Sequence, residues 1–396
     1  MMSTFPKIIL KHGKDEALRR FHPWVFSGAI QKTSGELSEG CIVEVYAANG
    51  EFLGMGHYND GSIAVRIFSF FKTGCDKEFW KAKLENALNL RKQLGLYDSK
   101  NTNAYRLVFG EGDGLPGMII DFYNGTAVIQ CHTYGMFLLH GMFAEILREL
   151  YGDKLRSVYL KCKETLPAKY AEHLSDGYVL GEASEKIITE NDCKFFVDWE
   201  QGQKTGFFLD QRQNRLALMD YCKGKNVLNT FCYTGGFSVY ALRAGASLVH
   251  SVDSSARAIN MTDKNVLLNN FSASQHRSFR SDVMDFLKKN DETYDVIILD
   301  PPAYAKHVKT RHTAMQGYCR LNEMALRRIA EGGVLFTFSC SQVVDSSLFR
   351  STVIAAAIQS RRKVRILGTL TQPPDHPVSA FHPEGEYLKG LVLFVE

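Results

Sequence analysis

The chain has 396 residues, of which 45% are hydrophobic and 23% charged, with a formal net charge of +4. That is longer than one hydrophobic core fills and too apolar for a disordered chain, so two or three folded domains are expected. The small net charge excludes a global field as the source of any nucleic-acid affinity, and no apolar run nears the ~20 residues that span a bilayer.

The start, MMSTFPKIILKHGK, lacks the basic, apolar and small-residue layout of a secretory signal, so a cytoplasmic protein is expected. Residues 1–75 carry short alternating apolar runs broken by glycine, such as CIVEVYAANGEFLGMGHYNDGSIAVRIF. Asn49-Gly50 between two such runs is a strong hairpin signal, and the pattern predicts a small β-barrel. Residues 1–32 hold six basic side chains (Lys7, Lys11, Lys14, Arg19, Arg20, Lys32) against Asp15 and Glu16, and RRFHPWVFSGAI sets aromatics beside Arg19 and Arg20. Basic groups grip phosphate and aromatic faces stack on bases, so the stretch suits RNA; a solvated face around a hairpin fits the same residues.

Residues 76–190 begin with KEFWKAKLENALNLRKQLGL, which has helical spacing and stops at a glycine. The strand-like YRLVFGEGDGLPGMIIDFYNGTAVIQCH follows, with a second hairpin signal at Asn124-Gly125, and then the helical MFLLHGMFAEILRELY. This predicts a central α+β domain. GEGDGLPG lies between two strands and reads as a turn, since a phosphate cradle needs a helix after it.

Residues 191–396 alternate strands (NVLNTF, LVHSVD, YDVIILD, GGVLFTFS) with helices, the pattern of a doubly wound α/β domain. The nine cysteines (41, 75, 131, 162, 193, 222, 232, 319 and 340) are odd in number, widely spaced and without a CxxC pair. Neither a disulfide framework nor a zinc site is indicated, no metal is expected, and most read as buried thiols.

In an open parallel sheet the ligand sits beyond the carboxyl ends of the strands. The first end, NTFCYTGGFSVYALRAGA, makes a tight Gly235-Gly236 turn into a helix, where backbone donors favour an anionic group. It lacks the full GxGxxG of dinucleotide folds, which leaves room for a nucleoside without a pyrophosphate. The second end closes on Asp253, placed to accept both ribose hydroxyls. At the third, Asp282 precedes a helix and is either a contact for an adenine amine, a helix cap, or both. The fourth is YDVIILDPPAYAK: Pro301 and Pro302 stop the strand stiffly and hold Asp300 and Tyr304 at its mouth. Lys306, Lys309 and Arg311 follow, a basic loop able to hold an RNA backbone. Near the end of the chain, FTFSCSQ closes a strand on Cys340, a nucleophile or a core thiol.

NTFCYTGGFSVYALRAGA, SVDSS, DVIILDPPAYAK and TFSCSQ, in this order, resemble the class I S-adenosylmethionine-dependent methyltransferases. With GQKTGFFLDQRQNR upstream, and HPWVFSGAI and GEFLGMGHYN near the start, the whole chain is similar to the large-subunit ribosomal RNA methyltransferase I family of cytosine-5 methyltransferases. The resemblance implies a PUA-like RNA-binding barrel, a central α+β domain and a Rossmann-like catalytic domain, with S-adenosylmethionine as cofactor. It places Phe231, Gly235 and Gly236 at the cofactor's methionine end, Asp253 at its ribose and Asp282 at its adenine, with Asp300 shared between cofactor and base. Gln211 and Arg212 would lie near the cofactor or the RNA entrance, Pro301 would face the target base, and Cys340 would be the nucleophile. RNA, large-subunit ribosomal RNA above all, is the expected partner; a membrane is not, and a homodimer is left open.

Carbon 5 of cytosine is too poor a nucleophile to take a methyl group unaided, and a thiolate adding to carbon 6 activates it. Neither Ser339 nor Ser341 brings the positive charge that a thiolate needs, so a lysine or arginine must come from elsewhere, with the 306–311 loop as the candidate. The Pro-Pro-Ala-Tyr that follows Asp300 also resembles enzymes that methylate exocyclic amines, which need no thiol. A non-catalytic RNA-binding protein and an NAD-linked dehydrogenase are the remaining readings; the intact strand ends speak against the first and the missing pyrophosphate loop against the second.

Overall fold

The computed structural model describes residues 5–172, 174–183, 185–305 and 307–396, so Lys306 lies outside the described residues. They divide into two compact units. The first comprises residues up to 186 together with 197–207 and 374–385, and the second residues 187–196, 208–373 and 386–396.

The first unit holds two sheets. Strands Lys7–Leu10, Trp24–Phe26, Ile30–Ser34, Ile42–Tyr46, Phe52–Tyr58 and Ile63–Ser69 form a six-stranded, mainly antiparallel sheet. Its alternation buries Ile8, Leu10, Val43, Val45, Val65 and Ile67 in one core, each worth roughly 1.5–3 kcal/mol relative to exposure. Asn49-Gly50 makes the expected turn between Ile42–Tyr46 and Phe52–Tyr58, which pair antiparallel. Five further strands, Ala104–Phe109, Met118–Tyr123, Thr126–Cys131, Ser157–Leu160 and Gly177–Leu180, make the second sheet. Both residues of its Asn124-Gly125 turn have positive φ (42° and 92°), as a two-residue hairpin of matched twist requires. The helix Lys77–Gln93 starts where the Asp76 carboxylate accepts the Phe79 N–H, and it buries Trp80, Leu84, Ala87 and Leu88 on one face. GEGDG is a single 3-10 turn between strands, not a cradle.

The second unit is the doubly wound domain. Its strands are β1 (Asn226–Thr230), β2 (Leu248–Asp253), β3 (His276–Arg280), β4 (Tyr294–Leu299), β5 (Ile329–Ser339), β6 (Val364–Thr371) and β7 (Lys389–Val395). They lie in the order β3-β2-β1-β4-β5-β7-β6, with β7 antiparallel to both neighbours and β1 to β5 parallel. The central strands are buried along nearly their whole length, polar residues such as Asn229 and Ser251 included, and the helices that pack with the sheet are α1 (Gly236–Arg243), α2 (Ala256–Leu268), α3 (Val283–Lys289), α4 (Arg311–Arg328) and α5 (Ser346–Ser360). Leu228, Ile297, Leu299 and Leu335 of the sheet pack with Leu321, Phe349 and Val353 of the helices in one core. A hairpin, Ile187–Glu190 with Cys193–Phe196, belongs to this unit. Among the described residues no helix is long and apolar enough to cross a membrane.

Candidate active site

Register decides what meets at the carboxyl edge of this sheet. Thr230 stands beside Val252 on one side and Leu299 on the other, Leu299 stands beside Thr337, and Asp253 beside Arg280. The residues that follow, Phe231, Asp253, Asp282, Asp300 and Cys340, therefore leave the sheet along one edge. The order of connection reverses between β1 and β4, where ligands bind in open α/β sheets.

The turn after β1 is held in a strained form. Phe231 (φ 52°), Tyr233 (47°) and Gly235 (77°) are left-handed, alternating with Cys232 and Thr234, which are not. Such alternation curls the backbone into one concave turn that leads into the amino end of α1. Each aromatic residue in that conformation costs about 1–2 kcal/mol, and the surroundings hold it there. The Cys232 N–H donates to Val252 O (3.1 Å), the Gly235 N–H to Cys232 O (2.8 Å), and the Tyr233 N–H to Asp253 Oδ2 (3.1 Å). From α2, Thr262 Oγ1 donates to Tyr233 O (3.0 Å) and Asn265 Nδ2 to Thr234 O (2.8 Å). A Cβ at Gly235 would stand 2.7 Å from the Thr262 methyl, and one at Gly236 3.1 Å from Arg215 Cδ. Arg215 is itself fixed by the fully buried Glu190, which accepts from it at 2.8 and 2.9 Å.

Asp253 is positioned rather than loose: besides Tyr233, its Oδ1 accepts the Ser255 N–H at 2.9 Å. Asp282 is an N-cap, accepting the Asp285 N–H at 3.0 Å, and is exposed. The cap occupies Oδ1 and leaves the other oxygen for a second use. Gln211 and Arg212 are only 3% and 2% exposed at the start of the helix Arg212–Leu218, with little surface for a ligand.

At the other side of the switch point, Cys340 is half-buried and its Sγ lies 3.9 Å from the Pro301 carbonyl, against the Asp300-Pro301 edge. Ser341 Oγ donates to Ala305 O at 2.6 Å and ties the strand end to the proline loop. Tyr304 packs its ring 4.7 Å from that of Tyr318, over Gly317, where a Cβ would meet it at 3.0 Å. Burial pushes the Tyr304 and Tyr318 phenols up to about 12, so both stay protonated at neutral pH. Burial likewise pushes the Cys222 and Cys232 thiols up to about 12, which makes them packing residues. Lys309 and Arg311 are exposed at the start of α4. Arg19 and Arg20 belong to the first unit; Arg19 is paired with Asp15 and Glu51, at 2.6 Å each, and Arg20 is exposed.

Sequence reading missed Lys389. It is 6% exposed and donates from Nζ to Ser341 O at 2.7 Å, and the antiparallel register sets it opposite Ser339. Its one visible signal was a lysine opening the apolar run GLVLFV, a position where a charge is rarely buried without cause.

Residues 8–70 match the PUA-like domain family and residues 162–387 the S-adenosylmethionine-dependent methyltransferase family. Ribosomal RNA large subunit methyltransferase I of Aeromonas salmonicida (strain A449) is 39% identical over 405 residues, covering 99% of each chain. The protein of the same name from Klebsiella pneumoniae (strain 342) is 36% identical over 400 residues, again covering 99% of both. A solved structure described as a SAM-dependent methyltransferase from Streptococcus mutans has the same fold. It superposes with a TM-score of 0.84 at 24% identity, over 98% of this chain and 99% of that one.

Proposed function

The chain belongs to the ribosomal RNA large subunit methyltransferase I family and is an S-adenosylmethionine-dependent methyltransferase, and from that premise we propose that it methylates carbon 5 of a cytosine in large-subunit ribosomal RNA. When bound, S-adenosylmethionine supplies an electrophilic methyl group. The residues that fit it are the strained 231–235 turn, which leads into the amino end of α1 where the methionine carboxylate would lie, and Asp253, held by two backbone N–H groups for the ribose. Asp282 serves the adenine with the oxygen its cap leaves over.

The observation that carries the cytosine-5 reading is the approach of Cys340 Sγ to the Pro301 carbonyl, 3.9 Å apart, at the mouth of the site. A planar base lying against the stiff Asp300-Pro301 edge would present carbon 6 to that sulfur. The Cys340 thiolate adds to carbon 6, the ring electrons move towards carbon 5, and the Asp300 carboxyl, in its protonated form, donates its proton to the ring nitrogen that takes up charge. After carbon 5 has been methylated, a base removes its proton, the electron pair re-forms the ring double bond, and the thiolate leaves. Asp300 and Pro301 face the base, and Lys309 and Arg311 hold the RNA backbone near it.

The test is a covalent trap. Wild type and Cys340→Ala are mixed with S-adenosylmethionine and ribosomal RNA carrying 5-fluorocytidine, and complexes are resolved on a denaturing gel. Fluorine blocks the final elimination, so wild type should leave an adduct and Cys340→Ala none. Methyl transfer to unmodified RNA that survives Cys340→Ala, with no adduct in either protein, would refute the reading in favour of an exocyclic amine.

A further inference from the structure

Lys389 places an ammonium where one is costly. It is 6% exposed, and among the described residues its Nζ donates to the Ser341 carbonyl at 2.7 Å and pairs with no carboxylate. An ammonium has three donors, and burying it against one neutral acceptor leaves most of its lost hydration unreplaced. Its position is set by two facts. The β5–β7 register puts Lys389 opposite Ser339, the residue before Cys340, and its hydrogen bond goes to Ser341, the residue after. The head group is therefore held across the backbone of Cys340.

The groups that face it come from several elements. Cys340 lies at the end of β5, Glu386 precedes β7 and Asp345 caps α5, while Tyr318 of α4 faces Cys340 and Asp300, the residue after β4. Glu386 and Asp345 act on the lysine more weakly than Cys340 does, and Tyr318 is neutral, its phenol pushed up to about 12. Burial lowers the lysine's pKa from its ordinary value, and the sulfur of Cys340 is the first of the groups that raise it again.

We propose that Lys389 is the counter-ion of the Cys340 thiolate, a positioning residue that holds the sulfur ionised until the base arrives. This rests on the reading of Cys340 as the nucleophile. On ionisation the thiol gives up its hydrogen bond to the Pro301 carbonyl, its proton goes to solvent, and the ammonium and thiolate neutralise each other. When sulfur bonds to carbon 6 the negative charge moves into the ring, and when sulfur leaves the electron pair returns to it and the ion pair re-forms. Opposite charges a few ångströms apart at an effective dielectric near 20 shift a thiol by roughly 1–2 pH units.

The experiment reads ionisation directly, without methyl transfer. The full chain is alkylated with iodoacetamide over a range of pH, and the peptide carrying Cys340 is quantified by mass spectrometry. The half-exposed Cys319 serves as internal control. Lys389→Met should raise the midpoint for Cys340 by about 1–2 pH units, Lys389→Arg should restore it, and Cys319 should not move in either. A folded Lys389→Met whose Cys340 midpoint is unchanged would overturn the proposal. Should that variant not fold, the reciprocal one answers: in Cys340→Ala the lysine's own midpoint, followed by NMR of labelled lysine, falls if the pair exists and stays put if it does not. A fluorocytidine adduct in wild type with an unmoved alkylation midpoint sinks only the lysine's role, whereas no adduct in wild type sinks the nucleophile as well.

Discussion

Replacing Gly235 by alanine would impose two separate penalties on one turn. The backbone there has φ 77°, which an L-residue with a Cβ adopts at a cost of about 1–2 kcal/mol. The new methyl would also stand 2.7 Å from Thr262 Cγ2. Thr262 is fully buried and its hydroxyl is committed to Tyr233 O, so it cannot rotate away without losing that bond. Overpacking of this kind costs roughly 1–3 kcal/mol, for a total near 2–5 kcal/mol. Either the unit absorbs it, and at roughly 2–4 °C per kcal/mol the melting temperature falls by about 4–20 °C, or the turn relaxes out of its concave form and cofactor affinity drops. A relaxation of about 2 kcal/mol would weaken binding some 30-fold. Calorimetry with S-adenosylhomocysteine and thermal melts read the two routes together. Thr262→Ser removes the methyl that clashes and keeps the hydroxyl, so it should recover part of the loss in the Gly235→Ala background while costing stability in the wild type. If Gly235→Ala binds and melts like wild type, or if the two substitutions simply add, the account of the turn is wrong.

Arg215→Met leaves the fully buried Glu190 carboxylate with Tyr240 in place of a bidentate guanidinium. Breaking such a pair costs about 3–5 kcal/mol, and a urea midpoint equal to that of wild type would refute it. In the first unit, His57 is 3% exposed, stacked 5.8 Å from Trp80, and burial holds its pKa down to about 4. Below pH 6.5 the unfolded chain binds a proton there that the folded one refuses. Stability is therefore lost as pH falls from about 6.5 towards 4, by up to roughly 3 kcal/mol. His57→Gln should flatten unfolding free energy against pH over that window; curves that stay parallel would rule the histidine out.

Much of this was legible because local rules and long-range structure agree. The glycine hairpins at Asn49-Gly50 and Asn124-Gly125 follow from backbone conformations that few other residues adopt. The strand ends of the catalytic sheet show up because each apolar run stops at a polar residue or a proline. What could not be read was decided by pairing across the chain. Asp282 offers two roles in sequence, and only the Asp285 N–H shows that it caps. Gln211 and Arg212 in FLDQR were placed near the cofactor or the RNA entrance by resemblance alone, and their burial at 3% and 2% exposure is not visible in the sequence. The 306–311 loop was the sequence's nearest source of positive charge for Cys340. The structure offers a different one, 49 residues further along from that cysteine and brought back by β7.

That return depends on strand direction. In a sheet whose first five strands are parallel, every strand begins at the amino edge, away from the site, and only its last residues can reach a ligand. A sixth parallel strand beside β5 would have carried its first residue to the wrong end. Because β7 runs antiparallel, its opening residue, Lys389, lies at the carboxyl edge level with Ser339, and the apolar remainder of the strand, LVLFV, fills the core behind it. The charge thus arrives on a paired strand rather than on a loop, with its backbone fixed by two neighbours. Rigid placement of that kind is what a counter-ion needs: a lysine on a mobile loop would lose most of its effect on the thiol to solvent screening.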